Sequence, residues 1–185
     1  WATAISRSTV SKPAMVWPAA KRALAIKRLK LASLVQFASP GVPCIYYGDE
    51  AGVEGHSDPQ NRRTYQWGKE SPELLAWYRK LGALRRAEPV LRTGRWIPLD
   101  AGPEVFAFGR RTDAGRDALG EVMNDAAFVV LVNRSEKAQK CRLDIAAVCA
   151  GPMADIFADE TADIIYAPDD KGMLHFTIAP FAAIV

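Results

Sequence analysis

A chain of 185 residues with 49% hydrophobic and 9% aromatic content has the material for a packed core, arranged as one domain or two small ones. Its 24 basic and 21 acidic residues leave a net charge of +3, too mild to indicate a nucleic-acid or membrane-surface partner. No apolar stretch reaches the ~18 residues of a membrane span, and no basic-then-apolar leader opens the chain.

Residues 1–18, with Pro13, Pro18 and scattered Ser and Thr, read as a loop or arm. Trp1, rather than a Met, opens this polar stretch, as expected of a piece of a longer chain. From Ala19 to Ala38 the pattern turns helical. Leu24, Ile26, Leu29, Leu31, Leu34, Val35 and Phe37 form a broad apolar surface, while Lys21, Arg22, Lys27, Arg28 and Lys30 crowd the first half. Ser39-Pro40-Gly41 ends the helix.

Val42 to Tyr47 is then apolar at consecutive positions and is closed by Gly48, the pattern of a strand buried on both faces of a parallel sheet. The polar stretch 49–71 is a long loop, of a length that is usually functional or disordered. Ser71 as N-cap and Pro72 at the first helical position start a second helix. It carries Leu74, Leu75, Trp77, Tyr78, Leu81 and Leu84 to about Ala87. Helix, buried strand and helix make an α/β arrangement that cannot close a sheet of its own, so this part reads as the remnant of a larger assembly.

After residue 92 the period shortens. Strand-like runs occur at 94–99, 104–110, 127–133, 139–145, 154–158, 162–166 and 173–178, with a last one at 181–185 and a turn-rich insertion at 112–126. Short strands at near-regular spacing predict an all-β antiparallel sandwich over 92–185, with the boundary near Glu88–Arg92. Cys44, Cys141 and Cys149 form no CxxC pair. They read as reduced thiols of a cytoplasmic protein, a Cys141–Cys149 disulfide being the alternative that spacing allows.

Three polar groups carry candidate chemistry. Asp49 and Glu50 are adjacent, so in an extended chain they face opposite ways and cannot flank one scissile bond; capping and loop anchoring is the expected role. Asp58-Pro59-Gln60-Asn61-Arg62-Arg63 places a carboxylate four residues before a guanidinium. That pair suits vicinal sugar hydroxyls, one group accepting and the other donating in a rigid fork; the alternative is a local ion pair that stiffens the loop. Glu54, His56 and Asp58 alternate in a way that a cation accepts, but His175, the other histidine, lies far along the chain, so no metal and no cofactor is expected. Of the aromatic residues, Trp67, Trp77, Tyr78 and Trp96 are expected in the core or between the two parts, while one of Tyr46 and Tyr47 is free to stack on a sugar ring.

Leu29 to Phe37, then PGVPCIYYGDEAGVEG, then DPQNRRTYQW, resemble the region around the eighth barrel strand of glycoside hydrolase family 13. The nearest flavour is its cyclomaltodextrinase, neopullulanase and maltogenic amylase group, whose loop reads D-P-x-x-R-R-x-x-x-W; Asp58, Pro59, Arg62, Arg63 and Trp67 match it. The resemblance implies the end of a (β/α)8 barrel (one parallel strand with its flanking helices) over 1–91, followed by the antiparallel C-terminal domain. It implies a retaining α-glucan hydrolase as parent, with nucleophile and acid/base on earlier strands; no His-Asp dipeptide of the third catalytic motif occurs here. No catalytic residue is therefore expected in this chain. Asp58 and Arg62, and less directly Tyr47, match positions that contact a glucose unit on the non-reducing side of the cleavage point. An α-glucan or maltooligosaccharide, and either the missing barrel half or a second copy, are the implied partners; a non-catalytic carbohydrate-binding module is the competing reading.

Overall fold

The computed structural model describes residues 17–55, 58, 61–157 and 165–185. Within them the chain forms three helices, α1 (Ala19–Ala38), α2 (Pro72–Ala87) and α3 (Val90–Thr93). They precede or flank eight strands: β1 (Arg95–Asp100), β2 (Val105–Arg111), β3 (Ala127–Asn133), β4 (Gln139–Asp144), β5 (Met153–Ala154), β6 (Ile165–Tyr166), β7 (Met173–Ile178) and β8 (Ala183–Ile184). Every strand pairing is antiparallel: a four-stranded sheet β1-β2-β3-β8, a β4-β7 ribbon and a short β5-β6 ribbon.

The period-2 alternation of β2 and β3 decides the layering. Val105 and Ala107 on β2, with Val129 and Leu131 on β3, face the β4-β7 ribbon and pack on Cys141, Leu143, Leu174, Phe176 and Ile178. Phe108, Val130 and Val132 point the other way and join Leu31, Leu34, Phe37, Tyr78, Leu81 and Leu91 of the helices. The central sheet is thus buried on both faces, between helices and ribbon. Gly109 lies against the segment that follows β4: a Cβ there would lie 2.3 Å from Cγ2 of Val148.

The helical part and the β part accordingly share one hydrophobic cluster across the boundary expected near Glu88–Arg92. Periodicity within each segment cannot reveal this, because it identifies an apolar face without saying what covers it. On the helical side, the Ser33 hydroxyl accepts from Trp77 Nε1 at 3.0 Å and donates to the Leu29 carbonyl at 2.8 Å, fixing α1 against α2. Only the second half of α1 is buried, at Leu31, Ser33, Leu34, Phe37 and Ala38; Leu24 and Ile26 remain half-exposed.

One expectation is corrected. Val42–Tyr47 forms no strand and is not buried: Val42 is 94% and Tyr46 55% exposed. A parallel strand needs hydrogen-bonded neighbours on its edges, and among the described residues none lies beside it. The runs expected at 154–158 and 162–166 shrink to β5 and β6; residues 158 and 162–164 lie outside the described residues. The cysteines are all free thiols, so Cys141 and Cys149 are not bridged, and burial pushes the Cys141 thiol up. No described helix is long and apolar enough to cross a membrane.

Candidate functional site

The site is built outward from the end of α1. Gly41 has φ +94°, a left-handed turn that favours glycine, and from it the chain runs out through Val42–Tyr47. Gln36 Nε2 donates to the Cys44 carbonyl at 2.8 Å and pins the middle of that run to the helix. The chain then folds back in a turn at Gly48 (φ +94°), whose N–H donates to Glu50 Oε2 at 2.9 Å. Asp49 feels both burial and the Glu50 charge, and its carboxyl is raised above the ordinary value of 3.8. The pair serves the turn: Glu50 caps it and Asp49 is carried within it.

Tyr46 and Tyr47 end this run with ring centroids 5.0 Å apart. The Tyr47 hydroxyl donates to the Arg63 carbonyl at 2.8 Å, and the Tyr46 hydroxyl reaches the Asn61 carbonyl at 3.5 Å. The two phenols therefore hold the backbone on either side of Arg62. Arg62 Nε donates to Asp58 Oδ1 at 2.8 Å, with Nη2 2.5 Å from the same oxygen. Both side chains are about two-thirds exposed, at 65% and 63%. At that exposure the pair offers solvent both carboxylate acceptors and guanidinium donors, the character that a diol needs.

The structure thus brings Asp58, Arg62 and Tyr47, singled out from sequence, onto one exposed patch. The local ion pair, the alternative that the sequence offered for Asp58 and Arg62, is formed. Glu54 is drawn elsewhere, accepting from Arg22 Nε at 2.7 Å and from the Trp17 N–H at 3.2 Å. His56, the middle member of the alternating Glu54-His56-Asp58 set, lies outside the described residues. Trp77, Tyr78 and Trp96 pack in or on the shared core, Trp96 stacking on Phe108 at 3.9 Å. Trp67 does not: it is 82% exposed and touches Tyr65 at 4.6 Å between ring centroids.

Two buried arginines escape sequence reasoning. Arg85 and Arg110 are both buried, the second completely, and neither forms an ion pair with a carboxylate among the described residues. Their guanidinium groups instead take backbone carbonyls around the exit of α1. Arg110 Nη1 donates to Ala38 at 2.6 Å and Leu91 at 2.7 Å, and Nη2 to Gly94 at 2.8 Å. Arg85 Nη1 donates to Phe37, to Ser39 at 3.0 Å and to Leu91 at 2.9 Å, and Nη2 to Gly41. Burial, then the neighbouring Arg85 charge, pushes Arg110 down to about 10. The one hint in the sequence is the placement of arginines on faces that are otherwise apolar.

No family model matches the chain. It is 44% identical over 120 residues, 65% of its length, to an amylopullulanase from Thermoanaerobacter thermohydrosulfuricus. It is 38% identical over 103 residues to a cyclomaltodextrinase from a Bacillus species. The chain spans 8% of the first relative and 18% of the second. Among solved structures, an α-amylase from Anoxybacillus superposes with a TM-score of 0.70 at 27% identity, covering 86% of this chain and 31% of that one.

Proposed function

This chain belongs to glycoside hydrolase family 13, the α-amylase family, and from that premise we propose that it is the C-terminal part of a retaining α-glucan hydrolase. Residues 1–91 supply the last strand and helices of the barrel, and 92–185 the antiparallel domain that closes the chain. Val42–Tyr47 becomes a barrel strand when polypeptide outside this chain pairs with both of its edges; its exposed apolar side chains and unladdered backbone support that reading. A protein that exposes Val42 at 94%, Tyr46 at 55% and Tyr47 at 46% in one run has a surface made to be covered.

Asp58, Arg62 and Tyr47 contact a glucose unit of an α-glucan or maltooligosaccharide. The observation that carries this is the strapping of Asn61 and Arg63 by the two tyrosines, which holds Arg62 against Asp58 before any ligand arrives. Preorganisation of this kind lowers the ordering cost of binding. On this reading the nucleophile and acid/base belong to earlier barrel strands, and Asp49 and Glu50 serve one turn. Its location is cytoplasmic, in keeping with three free thiols.

Isothermal calorimetry with maltohexaose tests the assignment. Weak binding that is lost in Asp58→Ala and in Arg62→Ala, with hydrolysis at background, is the expected result. Turnover that survives repurification and disappears on substituting Asp49 or Glu50 would overturn it, as would unchanged binding in both loop variants.

A further inference from the structure

The buried arginines lie on the path between the β part and the glucan-contacting loop. Arg110 belongs to β2, yet its longest-range bond is to Ala38 in the last turn of α1. Arg85, from α2, holds the next carbonyls along, Ser39 and Gly41. A helix C-terminus leaves carbonyls without intrahelical partners and carries partial negative charge, so guanidinium groups suit it. Most helices satisfy these groups with a local glycine turn or water. Here two buried cations from distant elements do so, at a desolvation cost that a simple cap avoids.

What the arrangement gains is direction. Gly41 has no atom within 4 Å of where a Cβ would stand, so it is needed for its φ of +94° and not for space. A glycine turn is the softest point of the backbone, and Arg85 grips its carbonyl on the inner side. Beyond Gly41 the next tethers are Gln36 to Cys44, then the Tyr46 and Tyr47 hydroxyls to Asn61 and Arg63, and finally Arg62 to Asp58. The route from β2 to the sugar-facing pair is therefore an unbroken series of hydrogen bonds and short chain segments.

We infer that Arg85 and Arg110 are positioning residues for glucan recognition: they fix the angle at which the Val42–Tyr47 segment leaves α1, and through it the stance of Tyr47 and the Asp58–Arg62 pair. The C-terminal antiparallel domain then contributes to binding without touching sugar, by way of Arg110. This inference rests on the assignment of Asp58 and Arg62 as glucan contacts.

Cys44 provides a local reporter, being an exposed thiol in the middle of the segment while Cys141 is buried. The full chain carrying Cys149→Ser is labelled at Cys44 with a nitroxide. Its spectrum and its affinity for maltohexaose are then measured for the parent, Arg85→Gln, Arg85→Lys, Arg110→Met and Arg62→Ala. Leu34→Ala serves as a control that destabilises the core without touching the carbonyl cluster. Arg85→Gln and Arg110→Met are expected to shorten the label's correlation time at least twofold and weaken maltohexaose about tenfold. Arg85→Lys, which keeps a donor and a charge, should recover most of both, and Leu34→Ala should change neither. If Arg62→Ala abolishes binding while Arg85→Gln binds and tumbles like the parent, the positioning role is wrong and the loop assignment stands. If the parent binds no maltohexaose, or Arg62→Ala binds as the parent does, the loop assignment fails. Label mobility alone then decides whether the arginines hold the segment, and an unchanged spectrum overturns that as well. Should Arg110→Met not fold, the Arg85→Gln and Arg85→Lys pair carries the same decision.

Discussion

Arg110 and Ala38 are 72 residues apart in sequence and 2.6 Å apart as donor and acceptor, joining the middle of the central sheet to the last turn of α1. The guanidinium is wholly buried and serves two further carbonyls, Leu91 and Gly94. A charge in this position is costly to bury, and its removal is costlier, because the Ala38 and Gly94 carbonyls lose the guanidinium donor while Leu91 keeps only Arg85. Arg110→Met, close in length and without charge, is expected to destabilise the chain by about 3 kcal/mol. Urea unfolding followed by fluorescence measures this; a loss below about 1 kcal/mol would show that water replaces the guanidinium.

Gly109, the preceding residue, is held by space rather than by backbone conformation. Its missing side chain accommodates Val148, with a hypothetical Cβ 2.3 Å from Cγ2 and 3.1 Å from Cγ1. Gly109→Ala should cost about 1–3 kcal/mol by overpacking. Val148→Ala in the same chain should recover most of that loss. Thermal melts of the two single variants and the double variant test the coupling, and simple additivity would contradict the contact.

Asp49 gives the pH dependence a definite sign. Its carboxyl is raised in the folded chain, first by burial and then by the charge of Glu50. Between its ordinary value of 3.8 and the raised folded value, the folded chain binds more protons than the unfolded one, so stability from this group falls as pH rises through that window. Asp49→Asn is accordingly expected to be more stable than the parent at pH 7. The advantage should shrink through the window and vanish below pH 3.8. Melting temperatures of both chains across that range give the answer.

Asp58 and Arg62 separate stability from recognition. Their ion pair is exposed on both sides, at 65% and 63%, and such pairs contribute about 0.2–1 kcal/mol. Asp58→Ala should therefore leave the unfolding midpoint almost where it was while abolishing maltooligosaccharide binding. A large drop in stability would recast the pair as a structural brace for the loop.

Much of this architecture is legible along the chain. The helix over Ala19–Ala38, the Ser71-Pro72 start of α2 and the runs that become β1 to β4 and β7 all follow from periodicity and capping. So does the grouping of Asp58 and Arg62, since their four-residue spacing on a short loop brings the side chains together. The burial of Val42–Tyr47 does not follow. An apolar run specifies what a segment prefers to contact, and among the described residues no sheet covers it. Trp67 misleads for a related reason: a large aromatic is expected in a core, yet it sits 82% exposed on the polar loop.

By itself, then, the sequence determined the local elements and the likeness of PGVPCIYYGDEAGVEG and DPQNRRTYQW to family 13, because both are encoded in contiguous residues. Only the tertiary structure decided that the helices and the sheet share one core. It also decided that Arg85 and Arg110 are buried donors rather than surface cations, and that Tyr46 and Tyr47 strap the loop bearing Arg62. The physical reason is that a carbonyl left free at the end of a helix takes whatever donor the fold brings to it. That donor came from β2, 72 residues away in the chain.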